Sequence, residues 1–461
     1  MRIGPAGSAE ITERLQRIRE EMEVPSSFAP EVLAAADEAS RRVPGAVHVD
    51  RTDLEFATLD PATATDLDQA FHLERDGDDI VLRYAIADVG WFVQPGDPVD
   101  AESWRRGLTI YLPDGKAPLH PPVLSERAAS LLPDGPRPAV VFTVRLAGSG
   151  EPVLDSVERA LVRSRAKLAY ETIGDGVLPP ELAEFAARMV TADEARGATR
   201  VEAPEQEVHR DGTGAYRLEY RPRMPSEDVN AAMSLAANLA VGRALFAAHT
   251  GLFRVMDEPD AHELQRLRTT VERLGVPWPV GQSLTVFERS LDPTKPVHAA
   301  VVMAIRRAGG GAGYVPFAEG AVPWHAAVAG TYAHATAPLR RLADRYVAAA
   351  ALAISAGFEV PAFAEQAFQA LPAVMERADA RAGRIERLVI DLVEAVVLEG
   401  SVGQVFDAVV ADVDERGARI QLTDLAVVAR LATDGLEPGH HLRVRLVEAS
   451  PERRQVRFAA V

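Results

Sequence analysis

The sequence predicts an α+β chain that ends in a small β-barrel, and three observations carry that expectation. In the middle of the chain, hairpin-forming strands come first and long helical patterns after them, an α+β order. Asp76-Gly77 stands between two apolar runs, a strong signal for a tight hairpin turn. Beyond Leu398, five short β-like runs fall within about sixty residues, which fits a closed barrel of OB type.

Each element follows from local pattern. Residues 8–22 and 30–42 have helical spacing around a Pro-Ser-Ser break. A helical N-terminal element, compatible with a helix-turn-helix, is therefore expected over 1–47. Residues 70–73 and 80–93 read as the hairpin strands, and 138–146 and 153–163 as two more broken at Gly148-Ser149-Gly150. Helical patterns cover 226–248, 262–274, 296–307, 338–355 and 376–397. Gly309-Gly310-Gly311 lacks the Gly-Lys-Ser/Thr ending of a phosphate loop and is read as plain loop. The barrel strands are placed at 404–412, 417–422, 426–431, 441–448 and 454–460. The expected domains are thus 1–47, a mixed domain over 48–398, and the barrel over 399–461.

With 461 residues, 47% of them hydrophobic and 25% charged, the chain has the composition of a soluble globular protein of two or three domains. It has no cysteine, which excludes disulfides, thiolate zinc sites and cysteine nucleophiles. No leader-like run precedes the charged stretch ending at Glu21, and no segment is expected to approach the length of a membrane span. A cytoplasmic monomer without membrane contact or organic cofactor is the expectation. The formal charge of −17 argues at first against a nucleic-acid partner. Lys116, Lys167 and Lys295 are the only lysines, however, and arginines cluster at 105–106, at 340–341 and at 381, 384 and 387. Arginine grips phosphate through a planar fork. Net charge leaves the partner open.

The most informative stretch runs from Thr58 to Ala70, where Asp60, Asp66 and Asp68 precede a hairpin strand. Pro61 and small residues let this loop fold tightly enough to bring the carboxylates together. Converging carboxylates repel unless a hard cation lies among them, and oxygen-only ligation favours Mg²⁺, Mn²⁺ or Ca²⁺. The spacing is not that of an EF-hand. A solvated acidic loop with aspartates capping local turns is the plainer alternative.

Context favours the metal reading. The D-P-x-x-A-x-D-x-D stretch, its hairpin and Tyr84-Ala85-Ile86-Ala87-Asp88-Val89 together resemble the start of the ribonuclease II (RNB) catalytic domain. Arg106-Gly107-Leu108-Thr109-Ile110-Tyr111-Leu112-Pro113 is similar to the family's R-G-x-S-x-Y-L-P, and Ser164 to Tyr170 to its S-x-A-K-L-x-Y. Leu124-Ser125 and Ser130-Leu131 fall where the family has L-S and C-S-L. Tyr332 to Asp344 resembles Y-x-H-F-T-S-P-I-R-R-Y-x-D. The resemblance implies an RNB-type catalytic domain with a mixed sheet and long helices, followed by an OB-fold RNA-binding domain. It further implies processive, hydrolytic 3′→5′ degradation of single-stranded RNA to nucleoside 5′-monophosphates, with Mg²⁺, or Mn²⁺ in its place.

Residue by residue, the resemblance assigns metal binding to Asp60, Asp66 and Asp68, with Gln69 where the family has a further aspartate. Asp66, Asp68 and Arg340 are the implied catalytic residues, Asp68 foremost. Tyr111 and Tyr170 are implied as aromatic RNA contacts, Glu386 as a partner of the RNA sugar, and Arg341 as a phosphate or structural contact. Thr336 and Pro338 suggest a helix start that would put Arg340 in its first turn. An Arg340–Asp344 surface pair at i,i+4 is the plainer reading of that arginine. Gln69 brings no charge, so a catalytically silent RNA-binding protein is the first alternative. A metal-dependent phosphoesterase acting on small molecules or DNA is the second. Ala231-Ala232 replace the paired glutamates the family often has, and 47 residues are too few for its N-terminal cold-shock domains.

Overall fold

The computed structural model describes residues 3, 5–173, 178–199, 205–221, 224–292, 295–414, 417–432 and 435–461. The chain opens on α1 (Pro5–Glu21) and α2 (Pro30–Ser40). Ile11, Leu15 and Ile18 give α1 one apolar stripe at helical spacing. That stripe packs on the long C-terminal helix and the barrel beyond it. Arg19 at its end pairs with Asp114 at 2.7 Å, and Glu21 with Arg454 at 2.6 Å.

The next stretch carries β1 (Val49–Asp50), β2 (Phe56–Asp60), β3 (Gln69–Asp76) and β4 (Asp79–Ala87). β3 and β4 pair from Gln69–Ile86 to Asp76–Asp79 around Gly77, whose φ of 62° suits the turn that Asp-Gly signals. The sequence pattern extended the second strand to Val93, but it stops at Ala87. The Asp88 side chain accepts from Trp91 N at 3.0 Å and caps the short α3 (Val89–Phe92). Next come α4 (Pro98–Arg106), the hairpin β5 (Ile110–Leu112) and β6 (Gly115–Ala117), and a π-helical turn at Leu124–Ala128. β7 (Arg137–Leu146), β8 (Pro152–Val162) and β9 (Ser164–Ala169) complete a sheet in the order β1-β8-β7-β4-β3-β2-β9. β1–β8 and β2–β9 are parallel, and the other neighbours are antiparallel.

Both sheet faces are buried, which is why these strands read as nearly continuous apolar runs. In β4, Leu82, Tyr84 and Ile86 enter one core while Ala85 and Ala87 enter the other. The first core is covered by helices that follow the sheet: α5 (Pro180–Arg196), α6 (Pro225–Ala247), α10 (Leu342–Ser355) and α11 (Ala362–Leu398). Between α5 and α6 lies the hairpin β10 (Glu205–Arg210) and β11 (Tyr216–Arg221). Between α6 and α10, β12 (Leu252–Val255) pairs with β13 (Gly313–Pro316). A satellite core joins α7 (Ala261–Arg273), α8 (Leu284–Arg289) and α9 (Pro296–Ala308). α11 begins well before the expected residue 376 and carries Pro372 inside it.

α6 corrects the expectation about membrane length: with 23 residues it is long and apolar enough, by length and composition, to cross a membrane. Here it is a core helix, with Met233, Ala236, Leu239 and Ala240 buried. Its Gly242 lets the 331–333 segment approach, since a Cβ there would lie 2.9 Å from Thr331 O and 3.0 Å from Ala333 N. Gly242→Val is therefore expected to cost about 1–3 kcal/mol through overpacking. A fall in Tm on thermal unfolding checks it, and an unchanged Tm would remove this contact from the account.

The chain ends in β14 (Val405–Asp414), β15 (Gly417–Leu422), β16 (Val428–Leu431), β17 (His441–Ser450) and β18 (Gln455–Ala460). They form an antiparallel sheet in the order β16-β15-β14-β17-β18, with β16 and β18 close enough to leave a nearly closed barrel. The mixed α+β architecture with a C-terminal barrel is the one read from the sequence.

Candidate active site

Asp60 ends β2, and the loop from Pro61 to Asp68 returns the chain to β3. Its tight course is held from outside. Lys167 on β9 donates to Ala62 O at 2.9 Å and Ala64 O at 2.6 Å. Ser130 donates to Thr65 O at 2.7 Å and accepts from Leu67 N at 2.9 Å. So anchored, Asp60, Asp66 and Asp68 line one cavity of about 650 Å³, together with Tyr111, Lys116, Tyr170 and Arg340.

Arg340 reaches this cavity through backbone pairing. Gly107 ends α4 at φ 72°, where a Cβ would lie 2.7 Å from Ala378 Cβ. Its carbonyl accepts from Leu342 N at 3.0 Å, and Thr109 N donates to Arg340 O at 3.0 Å. The Arg106-to-Pro113 and Tyr332-to-Asp344 motifs thus lie side by side, which brings Tyr111 and Arg340 to the same cavity. The helix expected from residue 338 starts instead at Leu342, so Arg340 lies in the turn before it. That turn is held by Ala337 N donating to Asp344 at 2.7 Å. Arg340 does not pair with Asp344. Its Nε lies 3.7 Å from Asp68 Oδ2, while Arg341 forks onto Asp344 at 3.0 and 2.8 Å. Of the two roles open to Arg341, the structural one matches this geometry.

The electrostatics are unusual for aspartates. Burial pushes Asp68 up to about 8, against the pull of Arg340 and of the Leu339 amide, which donates to Asp68 Oδ1 at 2.7 Å. Burial, then the negative charge of Asp66, pushes Asp60 up to about 7 against Lys167 and Arg340. Asp60 Oδ2 is buried and has no hydrogen-bond partner. An orphaned carboxylate oxygen beside a second buried carboxylate suits a hard divalent ion. The three aspartates do not form a cage, however: among the described residues, no group of three His, Asp or Glu side chains is placed to hold a metal ion. Asp66 is engaged by Lys116 at 2.7 Å and by the Tyr111 hydroxyl at 3.4 Å.

Gln69 departs from the expected metal-ligand role. Adjacent strand residues point to opposite faces, and Gln69 lines a second cavity, of about 470 Å³. Its amide donates to Thr336 O at 2.8 Å, and its carbonyl accepts from Tyr84 at 2.5 Å and Ser234 at 3.3 Å. The side chain is committed to the fold. Tyr170 and Arg340 line both cavities, and Asn230 donates to the Tyr170 hydroxyl at 2.6 Å. Tyr111 is 56% exposed at the rim. Glu386 is exposed on α11 and belongs to neither cavity wall, so the structure does not bring it to the aspartates. One turn before Ala231-Ala232, Glu227 caps α6 and pairs with Arg221 at 2.8 Å, while Asp228 lines the second cavity.

Lys116, Ser234 and Asn238 were not singled out from sequence. The first could have been found, because it pairs directly with Tyr111 across the Pro113-Asp114 turn. Ser234 and Asn238 lie one helical turn apart on α6, and nothing in the sequence marks that face as polar lining.

Comparison with known proteins agrees with the overall fold. The chain is 26% identical to Ribonuclease R of Aquifex aeolicus, over 95% of this chain and 69% of that protein. It is also 26% identical to Ribonuclease R of Escherichia coli, over 85% of this chain and 52% of that one. It therefore spans roughly half to two-thirds of these relatives' length. RNase R of Mycoplasma genitalium, solved in complex with ribose methylated single-stranded RNA, shares the fold. Its TM-score is 0.86 at 18% identity, covering 98% of this chain and 78% of that one. The family model of the RNase II-type exonuclease C-terminal S1 domain matches residues 404–461. The RNB domain model matches residues 48–354, from just before the strands that carry the acidic loop to the end of the helix after Arg340, and the chain belongs to the RNB family.

Proposed function

We propose that this chain is a metal-dependent exoribonuclease that processively shortens single-stranded RNA from its 3′ end, releasing nucleoside 5′-monophosphates. The observation that carries the reading is the shared wall of Tyr170 and Arg340 between a carboxylate cavity and a neighbouring polar one. Relatives named Ribonuclease R support the choice of RNA as substrate.

Asp60 and Asp68 would hold a divalent ion, Mg²⁺ or Mn²⁺, which when bound polarises phosphoryl oxygens and makes water a better nucleophile. The protein's own groups do the positioning. Arg340 is placed to neutralise charge on the phosphoryl oxygens as water attacks phosphorus and the 3′-oxygen leaves. The exposed Tyr111 ring offers a stacking surface, a sequence-tolerant contact of about 1–3 kcal/mol per base. Asn230 and Ser234 line the second cavity with groups that can bond ribose hydroxyls, the feature that separates RNA from DNA.

Incubation with uniformly labelled oligoadenylate and Mg²⁺, with and without chelator, tests this. Expected are monophosphates, their loss on chelation, and weak competition by a matched DNA oligomer. RNA retention without monophosphates would favour a silent binder, and DNA cleavage at an equal rate a general phosphoesterase.

A pH dependence follows from the two raised carboxyls. In the ion-free folded protein they keep their protons up to about 7 and about 8, whereas an unfolded aspartate loses its proton near about 3.9. Their contribution to stability is present at lower pH and is lost as pH rises through the folded values. A divalent ion binds the ionised forms and reverses that loss. The Mg²⁺-induced rise in Tm is therefore expected to be several degrees larger at pH 8.5 than at pH 6. Equal shifts at both would place the ion elsewhere.

A further inference from the structure

We propose that Lys116 is a resident cation of the carboxylate cavity, occupying the Asp66 side so that the site takes one divalent ion, held by Asp60 and Asp68. The inference rests on the metal-dependent reading above and deepens it.

Both oxygens of Asp66 are taken by one hairpin. Lys116 Nζ lies 2.7 Å from Oδ1, and the Tyr111 hydroxyl donates to Oδ2 at 3.4 Å. Tyr111 and Lys116 are cross-strand partners in β5–β6, so the two side chains reach Asp66 together. Lys116 has a second anchor outside the aspartate loop, Glu126 Oε1 at 3.1 Å. That carboxylate keeps the ammonium beside Asp66 whether or not an ion sits at Asp60 and Asp68. The hairpin is itself tethered, by Arg19 to Asp114 at 2.7 Å.

The remaining donors leave little for a second ion. Gln69 is turned to the other sheet face and bonded there. A two-metal site sets its ions about 3.5–4 Å apart and needs carboxylates to screen them from each other. Here a strongly hydrated point charge sits on the carboxylate that would do so, and it repels a further cation. In the reaction, Lys116 would supply a fixed positive charge to the phosphoryl group that no chelator removes.

The test is Mn²⁺ titration of the full chain without RNA, following loss of the free-ion electron paramagnetic resonance signal. Expected are one bound ion per chain in the wild type and in Lys116→Arg, and two in Lys116→Gln, whose folding is checked by thermal unfolding. Two ions in the wild type overturn the proposal, whatever the variant does. So does a folded Lys116→Gln that still binds one, and so does a chain that binds none. Because the count is made without RNA, it is separable from the activity. One ion in the wild type and two in Lys116→Gln, with no monophosphate released from RNA, would uphold the role of Lys116 and refute the exoribonuclease.

Discussion

Asp68→Asn is expected to lower RNA turnover by about a thousandfold or more, with RNA affinity changed by no more than about threefold. Asp68 is 6% exposed, accepts from Leu339 N through Oδ1, and faces Arg340 through Oδ2. Asparagine keeps an acceptor for the Leu339 amide, so the turn carrying Arg340 stays in place. What is lost is the negative charge, and with it the affinity of the site for a divalent ion. Stability should not fall, because a buried carboxyl gives way to a neutral amide of the same shape. Single-turnover kinetics and filter binding on the same oligoadenylate separate the two effects. Turnover within tenfold of wild type would take Asp68 out of the chemistry.

Arg340→Ala is expected to reduce kcat by on the order of a thousandfold, the scale of a lost guanidinium in phosphoryl transfer, with a much smaller change in KM. The side chain is 45% exposed and makes no short ion pair, so its removal leaves the fold intact. Arg341→Ala is the control that behaves differently. Its guanidinium neutralises Asp344, which is fully buried, and removing one partner of a buried pair typically costs about 3–5 kcal/mol. Arg340→Ala should therefore lose activity at nearly constant Tm, and Arg341→Ala should lose Tm first. If the two fall together in both measurements, the division of labour between adjacent arginines is wrong.

The sequence was most legible where one period dominates. α1, α6, α7 and α9 lie within a few residues of their helical patterns, and the barrel strands lie where turn residues interrupt short apolar runs. The acidic loop was legible because its residue types are unusual together. Facing was less so. Asp68 and Gln69 look like one unit in sequence, yet strand alternation sends them into different cavities. Arg340 was given a helical turn, but pairing with the Gly107–Thr109 backbone keeps its segment non-helical until Leu342. Glu386 was assigned by position within a motif, which carries no information on which side of a 37-residue helix faces the cavity. β9 and α5 were not read as elements: β9 is a short run without strict alternation, whereas Leu182, Phe185, Met189 and Ala192 of α5 stand at a legible helical spacing.

The N-terminal helix has a mechanical consequence. α1 lies along α11 and is bonded at its far end to two separate bodies, Arg19 to the β5–β6 hairpin and Glu21 to the barrel through Arg454. Ion pairs of this kind contribute only about 0–1 kcal/mol each when exposed, so stiffness comes from the apolar stripe and the pairs set the angle. The helix is in effect a strut. A pull on the barrel, such as a strand drawn across it, reaches the hairpin that carries Tyr111 and Lys116 by two routes, through α1 and through α11, which touches both.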